Sequence, residues 1–261
     1  MLKFFALFVS FNDNIERMRR EDGRKNDELR QIAFTPNFGI NADGSVLAEF
    51  GNTKVLVTAQ VEDKVPPFLE GTNTGWITSE YSLLPGSTKP RSQREATRGK
   101  QTGRTTEIQR LIGRSLRAAF DLNKLGSRTI TIDADVICAD ASTRVVSICG
   151  GFIAVFKALE KLKSKSLIKE IPLLEPVAAV SVGIVKGEVL LDLSYVEDSV
   201  AEIDSNIVMN QSGKIIEFQI TSEKKPFDRK LIDDLLQLAD KGIKEIINKQ
   251  LEVCKISMPV S

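Results

Sequence analysis

The residues best suited to chemistry begin with a basic segment, residues 89–104, of sequence KPRSQREATRGKQTGR. It holds six Lys or Arg residues against a single acid, Glu95, and its largest aliphatic side chain is that of Ala96. The rest of the chain is slightly acidic, because the whole carries 36 basic and 35 acidic residues. A positive segment on such a body attracts polyanions such as nucleic acids. Composition alone fits a solvated charged loop equally well.

A second candidate is the polar turn Ser142-Thr143-Arg144. It follows residues 128–138, where apolar and polar side chains alternate as in a strand with one buried face, and it precedes the apolar spacing of a helix. At a strand-turn-helix junction, free backbone N–H groups and the helix dipole favour an anion. Thr143 adds a hydroxyl and Arg144 a guanidinium, although Ser142 or Thr143 could equally serve as an ordinary helix N-cap.

A third candidate is the acidic stretch 192–204, DLSYVEDSVAEID, which has five acids and no base. The chain contains no histidine, which excludes Ser-His-Asp and Cys-His nucleophiles and His-ligated zinc. Proton transfer would fall to carboxylates, lysine or tyrosine, and a metal would be a hard, oxygen-ligated cation. Phosphoryl chemistry would unite the three candidates, because arginines bind phosphates and carboxylates hold Mg²⁺ or donate a proton. Taken singly, an acidic run is more often solvated surface.

Length and composition are those of a globular protein. The chain has 261 residues, 42% of them hydrophobic, which is enough for a sizeable core in one large domain or two small ones. Its three cysteines show no metal-type spacing, which favours free thiols in a reducing compartment and hence the cytoplasm. The apolar run at residues 2–11 is too short to span a bilayer, so no membrane is expected. Met18 offers a second start, which leaves residues 1–17 open as an extension or as native structure.

The elements that position these residues follow from periodicity. Residues 45–62 predict a hairpin, residues 66–87 a loop, and the residues after Arg104 an amphipathic helix. Two further hairpins and a final helix follow the turn at 142–144 and its helix. Hairpins broken by helices, twice over, indicate an α+β fold with helices packed on a mixed sheet. We expect one domain, residues 18–261, built from two related halves.

Four long motifs then make the chain recognisable: GWITSEYSLLPGST, GKQTGRTTEIQRLIGRSLRAA, RTITIDADVICADASTR and LDLSYVEDSVAEIDSNIVM. In order and in sequence they resemble the ribonuclease PH family of phosphate-dependent 3′ exoribonucleases. The resemblance runs from about Arg20 to the last helix, and REDGRKNDELR, similar to the family's opening, favours Met18 as the start. It implies a ribonuclease PH-type domain in which inorganic phosphate attacks the last phosphodiester of an RNA and releases a nucleoside diphosphate.

The resemblance also assigns binding roles to single residues. It places the family's phosphate-binding arginine on Arg104 and the phosphate turn on Ser142, Thr143 and Arg144. The RNA-contacting arginines fall in the basic segment, where the candidates are Arg91, Arg94 and Arg98.

The catalytic and metal-associated aspartates of the family match Asp192 and Asp198. We expect these two to hold Mg²⁺, with Asp198 as the acid that protonates the leaving 3′ oxygen. The partners implied are RNA 3′ ends, tRNA precursors among them, inorganic phosphate, and further copies of the chain in a homohexameric ring.

Three positions depart from the family pattern, and two other functions compete with the main one. Gly86 replaces an RNA-contacting arginine, which predicts a weaker grip on RNA, Ser142 replaces the glycine of the phosphate turn, and Ser194 replaces an aspartate of the acidic motif. Loss of such residues is the mark of a non-catalytic RNA-binding subunit in an exosome-type ring, which is the alternative. A small-molecule kinase is disfavoured by the lack of a Gly-rich nucleotide loop.

Overall fold

The computed structural model describes residues 20–256, and its first half is built on a five-stranded sheet. The strands are β1 (Ile32–Pro36), β2 (Gly44–Phe50), β3 (Thr53–Glu62), β4 (Trp76–Leu83) and β5 (Thr129–Cys138). Their order across the sheet is β1-β2-β3-β5-β4. Only β4 and β5 run parallel among these neighbours, so this sheet is mixed.

The second half is built on a four-stranded antiparallel sheet of order β7-β6-β8-β9. The strands are β6 (Val177–Val185), β7 (Glu188–Leu191), β8 (Ile203–Asn210) and β9 (Ile215–Ser222). Every residue of β6 is buried, because this central strand has helices packed on it.

Six α-helices complete the described part of the chain. They are α1 (Glu95–Arg98), α2 (Gly103–Arg117), α3 (Leu122–Leu125), α4 (Thr143–Ser164), α5 (Tyr195–Asp198) and α6 (Leu231–Cys254). Helix α4 contacts both sheets and is buried on nearly all sides, as expected for a helix that is apolar all round. Gly44 lets it approach closely, because an added Cβ there would lie 2.0 Å from the Ala154 carbonyl oxygen.

Helix α2 packs its apolar stripe on β4 and leaves its first turn at the surface. The buried stripe has the predicted helical spacing and consists of Ile108, Leu111, Ile112 and Leu116. Strand β5 shows the predicted alternation, with Ile130, Ile132, Ala134 and Val136 in the core. The end of β5 therefore delivers the turn at 142–144 to the start of α4, and β4 brings the first turn of α2 alongside it.

The predicted α+β class is confirmed, and the mixed sheet is the first of two sheets. The loop predicted at 66–87 is wrong in its second part, which forms β4. That strand is hard to recognise because Ser79 takes one of its inward positions between Ile77 and Tyr81. The predicted extension, residues 1–17, lies outside the described residues, and the single domain 18–261 stays a prediction.

Candidate active site

The turn before α4 presents free backbone donors. Ala141 and Ser142 both adopt left-handed conformations, with φ of 60° and 55°. The Ser142 side chain does not cap the helix, so the first N–H groups of α4 stay available to an anion. A serine in this conformation costs about 1 kcal/mol relative to glycine. Its hydroxyl lies 2.8 Å from the Ser181 hydroxyl of β6, and this hydrogen bond to the second half offsets the cost.

Thr143 is held by a tyrosine that the sequence did not single out. The Tyr81 hydroxyl of β4 lies 2.8 Å from the Thr143 hydroxyl, and both residues are buried. Burial raises the pKa of Tyr81, while the hydrogen bond with Thr143 and the charges of Arg104 and Arg144 oppose the rise. Tyr81 thus stays neutral, and the two arginines lie close enough for their charges to act on it. Its only sequence signal was its position in the GWITSEYSLLPGST motif.

Arg104 is the second residue of α2 and is exposed. The residues before it are folded back by Glu95, whose carboxylate accepts hydrogen bonds from the Thr102 N–H at 3.1 Å and the Thr105 hydroxyl at 2.7 Å. Burial would raise the pKa of Glu95, but these hydrogen bonds lower it below its ordinary value. The single acid of the basic segment therefore anchors that segment at the entry of α2 while its arginines face outward.

The three predicted RNA-binding arginines are all exposed. Arg91 and Arg98 line one cavity of ≈ 530 Å³ together with Arg104 and Tyr81. Arg94 lines the neighbouring cavity, close enough to Asp135 for its charge to oppose the raised pKa of that carboxyl. The basic segment thus forms a continuous positive rim that leads to Arg104.

The Arg144 guanidinium is held by side chains from two other elements. Its Nη1 donates to the Gln219 Oε1 of β9 at 2.9 Å and to the Glu107 Oε1 of α2 at 3.2 Å. The two predicted phosphate-binding arginines thus come from the starts of two different helices, and the charges of both act on Tyr81.

Asp198 and Asp204 form the acidic side of the site. Burial raises the pKa of Asp198, and the charges of Arg104 and Arg144 oppose that rise. Burial and the charge of Asp198 raise the pKa of Asp204 to about 6, and the same two arginines oppose that rise too. Asp198 was predicted, whereas Asp204 was noted only as one acid of a run, although it lies six residues after Asp198 at the second residue of β8.

Asp192, for which a catalytic and metal-binding role was predicted, is instead engaged by Arg30, which argues against that role. It is fully buried, and its Oδ1 accepts from the Arg30 Nη2 at 2.7 Å. Its Oδ2 accepts from the Arg30 backbone N–H at 2.8 Å and from Nε at 3.0 Å. Both carboxylate oxygens are thus engaged by one guanidinium and one amide, which leaves them unsuited to a metal.

An N-terminal segment, residues 20–30, fastens the acidic segment in place. Arg20 makes two hydrogen bonds of 2.7 Å to the Glu197 carboxylate, next to Asp198. Arg30 also donates to the Asp140 carbonyl, directly before the turn at 141–144. The same turn is tied to α5, because the Tyr195 N–H donates to the Asp140 carboxylate at 3.2 Å. These arginines could not be recognised from the sequence, because neighbouring residues do not show which distant acidic side chains they bind.

Replacing Asp204 should stabilise the fold in a pH-dependent way. Its pKa of about 6 in the fold exceeds the ordinary value of 3.8, so the carboxyl's contribution to stability is fully present below pH 3.8 and is lost as the pH rises through 6. A pKa raised from 3.8 to about 6 corresponds to about 3 kcal/mol, so Asp204→Asn should raise the Tm by about 6 to 12 °C at pH 8 and give no gain at pH 4. Thermal unfolding at both pH values checks this, and an equal effect at the two would contradict the raised pKa.

The comparisons with known proteins agree with this geometry. Residues 28–159 match domain 1 of the 3′ exoribonuclease family and residues 175–242 match domain 2. Ribonuclease PH of Bacillus subtilis is 54% identical over 92% of this chain and 98% of its own length. The chain belongs to the 3′ exoribonuclease family.

Other matches agree with this family. Ribonuclease PH of Syntrophomonas wolfei is 52% identical over 89% of this chain and 98% of its own length. A solved structure described as the Archaeoglobus fulgidus exosome with RNA bound to the active site matches with a TM-score of 0.74 and 24% identity, over 88% of this chain and 92% of that chain. At that identity the match concerns the fold alone.

The predicted activity, phosphate-dependent 3′ exoribonuclease, is confirmed by membership in the 3′ exoribonuclease family together with the two ribonuclease PH relatives. The non-catalytic alternative has no comparable support. None of the helices found within residues 20–256 is both long and apolar enough to cross a membrane.

Proposed function

We propose that this 3′ exoribonuclease binds its attacking phosphate between Arg104, Thr143 and Arg144. The observation that carries this proposal is that Arg104 and Tyr81 line one cavity, while the Tyr81 hydroxyl contacts Thr143, the residue next to Arg144. Two arginines, a hydroxyl and the free N–H groups of α4 supply charge and hydrogen bonds to one anion. Holding the phosphate in this way orients one oxygen toward the RNA terminus.

The RNA approaches along the basic segment in this proposal. Arg91, Arg94 and Arg98 contact backbone phosphates, which positions the strand without reading its bases. The rim that they form ends at Arg104, so the last phosphodiester arrives where the attacking phosphate is bound. Attack forms a new P–O bond, breaks the bond to the 3′ oxygen of the shortened RNA, and releases a nucleoside diphosphate.

Asp198 and Asp204 supply the acidic chemistry. Within residues 20–256 there is no group of three Asp, Glu, His or Cys side chains placed to hold a metal. A single carboxylate, that of Asp198, nevertheless suffices for Mg²⁺, which binds through one or two carboxylates together with substrate phosphates. When bound, Mg²⁺ would balance charge that develops on the scissile phosphate.

We assign the leaving-group proton to Asp204 rather than to Asp198. For both carboxyls burial raises the pKa and the charges of Arg104 and Arg144 oppose the rise, but the charge of Asp198 raises the pKa of Asp204 further. Asp204, with a pKa of about 6, keeps a protonated fraction near neutral pH and can give that proton to the 3′ oxygen.

The tRNA-processing role is tested by incubating the protein with a 3′-extended tRNA precursor. In the presence of phosphate and Mg²⁺ we expect shortened tRNA and nucleoside diphosphates. Without phosphate we expect neither product. Salt-sensitive RNA binding with no turnover at high phosphate and Mg²⁺ would instead favour the non-catalytic ring subunit.

A homohexameric ring and a cytoplasmic location belong to the same proposal. The ring is supported by the ribonuclease PH resemblance and by structural neighbours that come from exosomes. The location is supported by three free cysteines, two of them buried, in the described part of the chain. Light scattering of the purified protein gives the ring size directly.

Gly86→Arg should strengthen RNA binding. Gly86 lies in the short turn Pro85–Ser87, and among residues 20–256, its own chain neighbours apart, no atom lies within 4 Å of an added Cβ, so the side chain is accommodated at the surface. One more phosphate contact should steepen the dependence of log K on log salt by about 0.7 for a single strand. Titration of a single-stranded RNA at several salt concentrations measures this slope, and an unchanged slope would place position 86 away from the RNA.

A further inference from the structure

Arg144 is connected to the rest of the molecule through a small polar cluster of three side chains. Gln219 and Glu107 each accept one hydrogen bond from its Nη1, at 2.9 and 3.2 Å. The Gln219 Nε2 donates in turn to the Glu107 Oε1 at 3.1 Å. The three residues come from α4, β9 and α2, so the cluster joins the second half of the chain to two helices.

The pattern of hydrogen bonds determines how the guanidinium is presented. Nη1 carries two hydrogens, and one acceptor takes each of them. In residues 20–256 no hydrogen bond is formed by Nε or Nη2 of Arg144. The edge of the guanidinium that carries these two nitrogens therefore remains available to a ligand. Arginine binds phosphate best through two parallel N–H groups, which requires this edge to point correctly.

The two acceptors differ in charge. Gln219 is neutral and orients Arg144 without reducing its charge, whereas Glu107 is half exposed and can compete with an anion for the guanidinium. The hydrogen bond from Gln219 occupies the same Glu107 oxygen that faces Arg144. Without Gln219, Arg144 would be free to turn toward Glu107 and away from the phosphate.

We propose that Gln219, paired with Glu107, is a positioning residue that fixes the Arg144 guanidinium for phosphate binding. This inference rests on the proposed phosphate site. It predicts a specific loss of phosphate affinity when the Gln219 side-chain amide is removed. Arg144 then loses one charge-assisted hydrogen bond and pairs with Glu107 instead of with phosphate.

The test measures phosphate binding by titration calorimetry without RNA, together with the KM for phosphate and kcat in phosphorolysis. Gln219→Leu should weaken phosphate binding and raise its KM about tenfold, with kcat and the KM for RNA within about twofold. Gln219→Glu alone should also weaken phosphate binding, because two carboxylates would then lie beside Arg144 and compete with phosphate for its charge. The double variant Gln219→Glu with Glu107→Gln restores one carboxylate and one amide, and it should return the affinity to within about twofold of wild type.

Glu217→Gln is the matched control. Glu217 lies two residues earlier on β9 and forms an ion pair with Arg114 of α2, so it bridges the same two elements without contacting Arg144. It should leave phosphate affinity within about twofold of wild type. The inference is overturned if Gln219→Leu binds phosphate like wild type, if Glu217→Gln loses as much affinity, or if the double variant is no better than Gln219→Glu. A wild type that binds phosphate without turnover would contradict the proposed function and leave this inference standing.

Discussion

Arg104→Ala is expected to lower kcat/KM for phosphate in phosphorolysis by about 10²- to 10³-fold, the range for removing one donor that stabilises a reacting anion. Arg104 supplies one of the two positive charges at the proposed phosphate site and lies where the basic segment meets α2. It is exposed, so its loss should leave the Tm nearly unchanged. Initial rates at varied phosphate concentration, with RNA saturating, measure the effect.

Arg110→Ala provides the control for this prediction. Arg110 is an exposed arginine six residues further along the same helix, so its replacement removes the same charge from the protein. It should retain nearly full activity. Equal losses in the two variants would show that general electrostatic attraction, rather than a placed phosphate ligand, explains the role of Arg104.

Asp198→Asn and Asp204→Asn should each lower kcat by about 10²- to 10⁴-fold, because each removes a carboxylate with a role in metal binding or proton transfer. RNA binding should persist, since the arginines of the basic segment are untouched. Single-turnover phosphorolysis with saturating RNA and phosphate separates the chemical step from binding.

Asp192→Asn should behave differently, and it decides between the sequence-based assignment and the structural one. Removing the charge that pairs with buried Arg30 should cost about 3 to 5 kcal/mol of folding stability. At a temperature where the variant stays folded, kcat should remain within about tenfold of wild type. A folded Asp192→Asn without activity, beside an active Asp204→Asn, would restore Asp192 to the active site.

The phosphate-binding part of the site could be predicted because it depends on local sequence. Thr143 and Arg144 follow an alternating strand and begin an apolar helix, so the turn and its free N–H groups are visible in the residues themselves. Arg104 lies in the same way at a recognisable helix entry. The positive φ of Ser142 confirms the backbone conformation that the family's glycine implies, and its bond to Ser181 shows how a serine is accommodated.

The acidic part could not be assigned from sequence, because it depends on which distant segments meet. Asp192 and Asp204 lie in one acidic run, and nothing in their spacing shows that Arg30 takes the first while the second faces Asp198. Tyr81 was hidden for a related reason, since its strand is interrupted by polar residues and pairs with β5 far along the chain. These roles depend on contacts between segments that are distant in sequence, and local periodicity does not predict such contacts.

The most direct test of the proposed site is a crystal structure of the protein grown with phosphate and Mg²⁺. We predict one phosphate within hydrogen-bonding distance of both Arg104 and Thr143, with Arg144 completing its ligands and the metal on Asp198. A phosphate bound only along Arg91 and Arg98, or a metal on Asp192, would contradict the account.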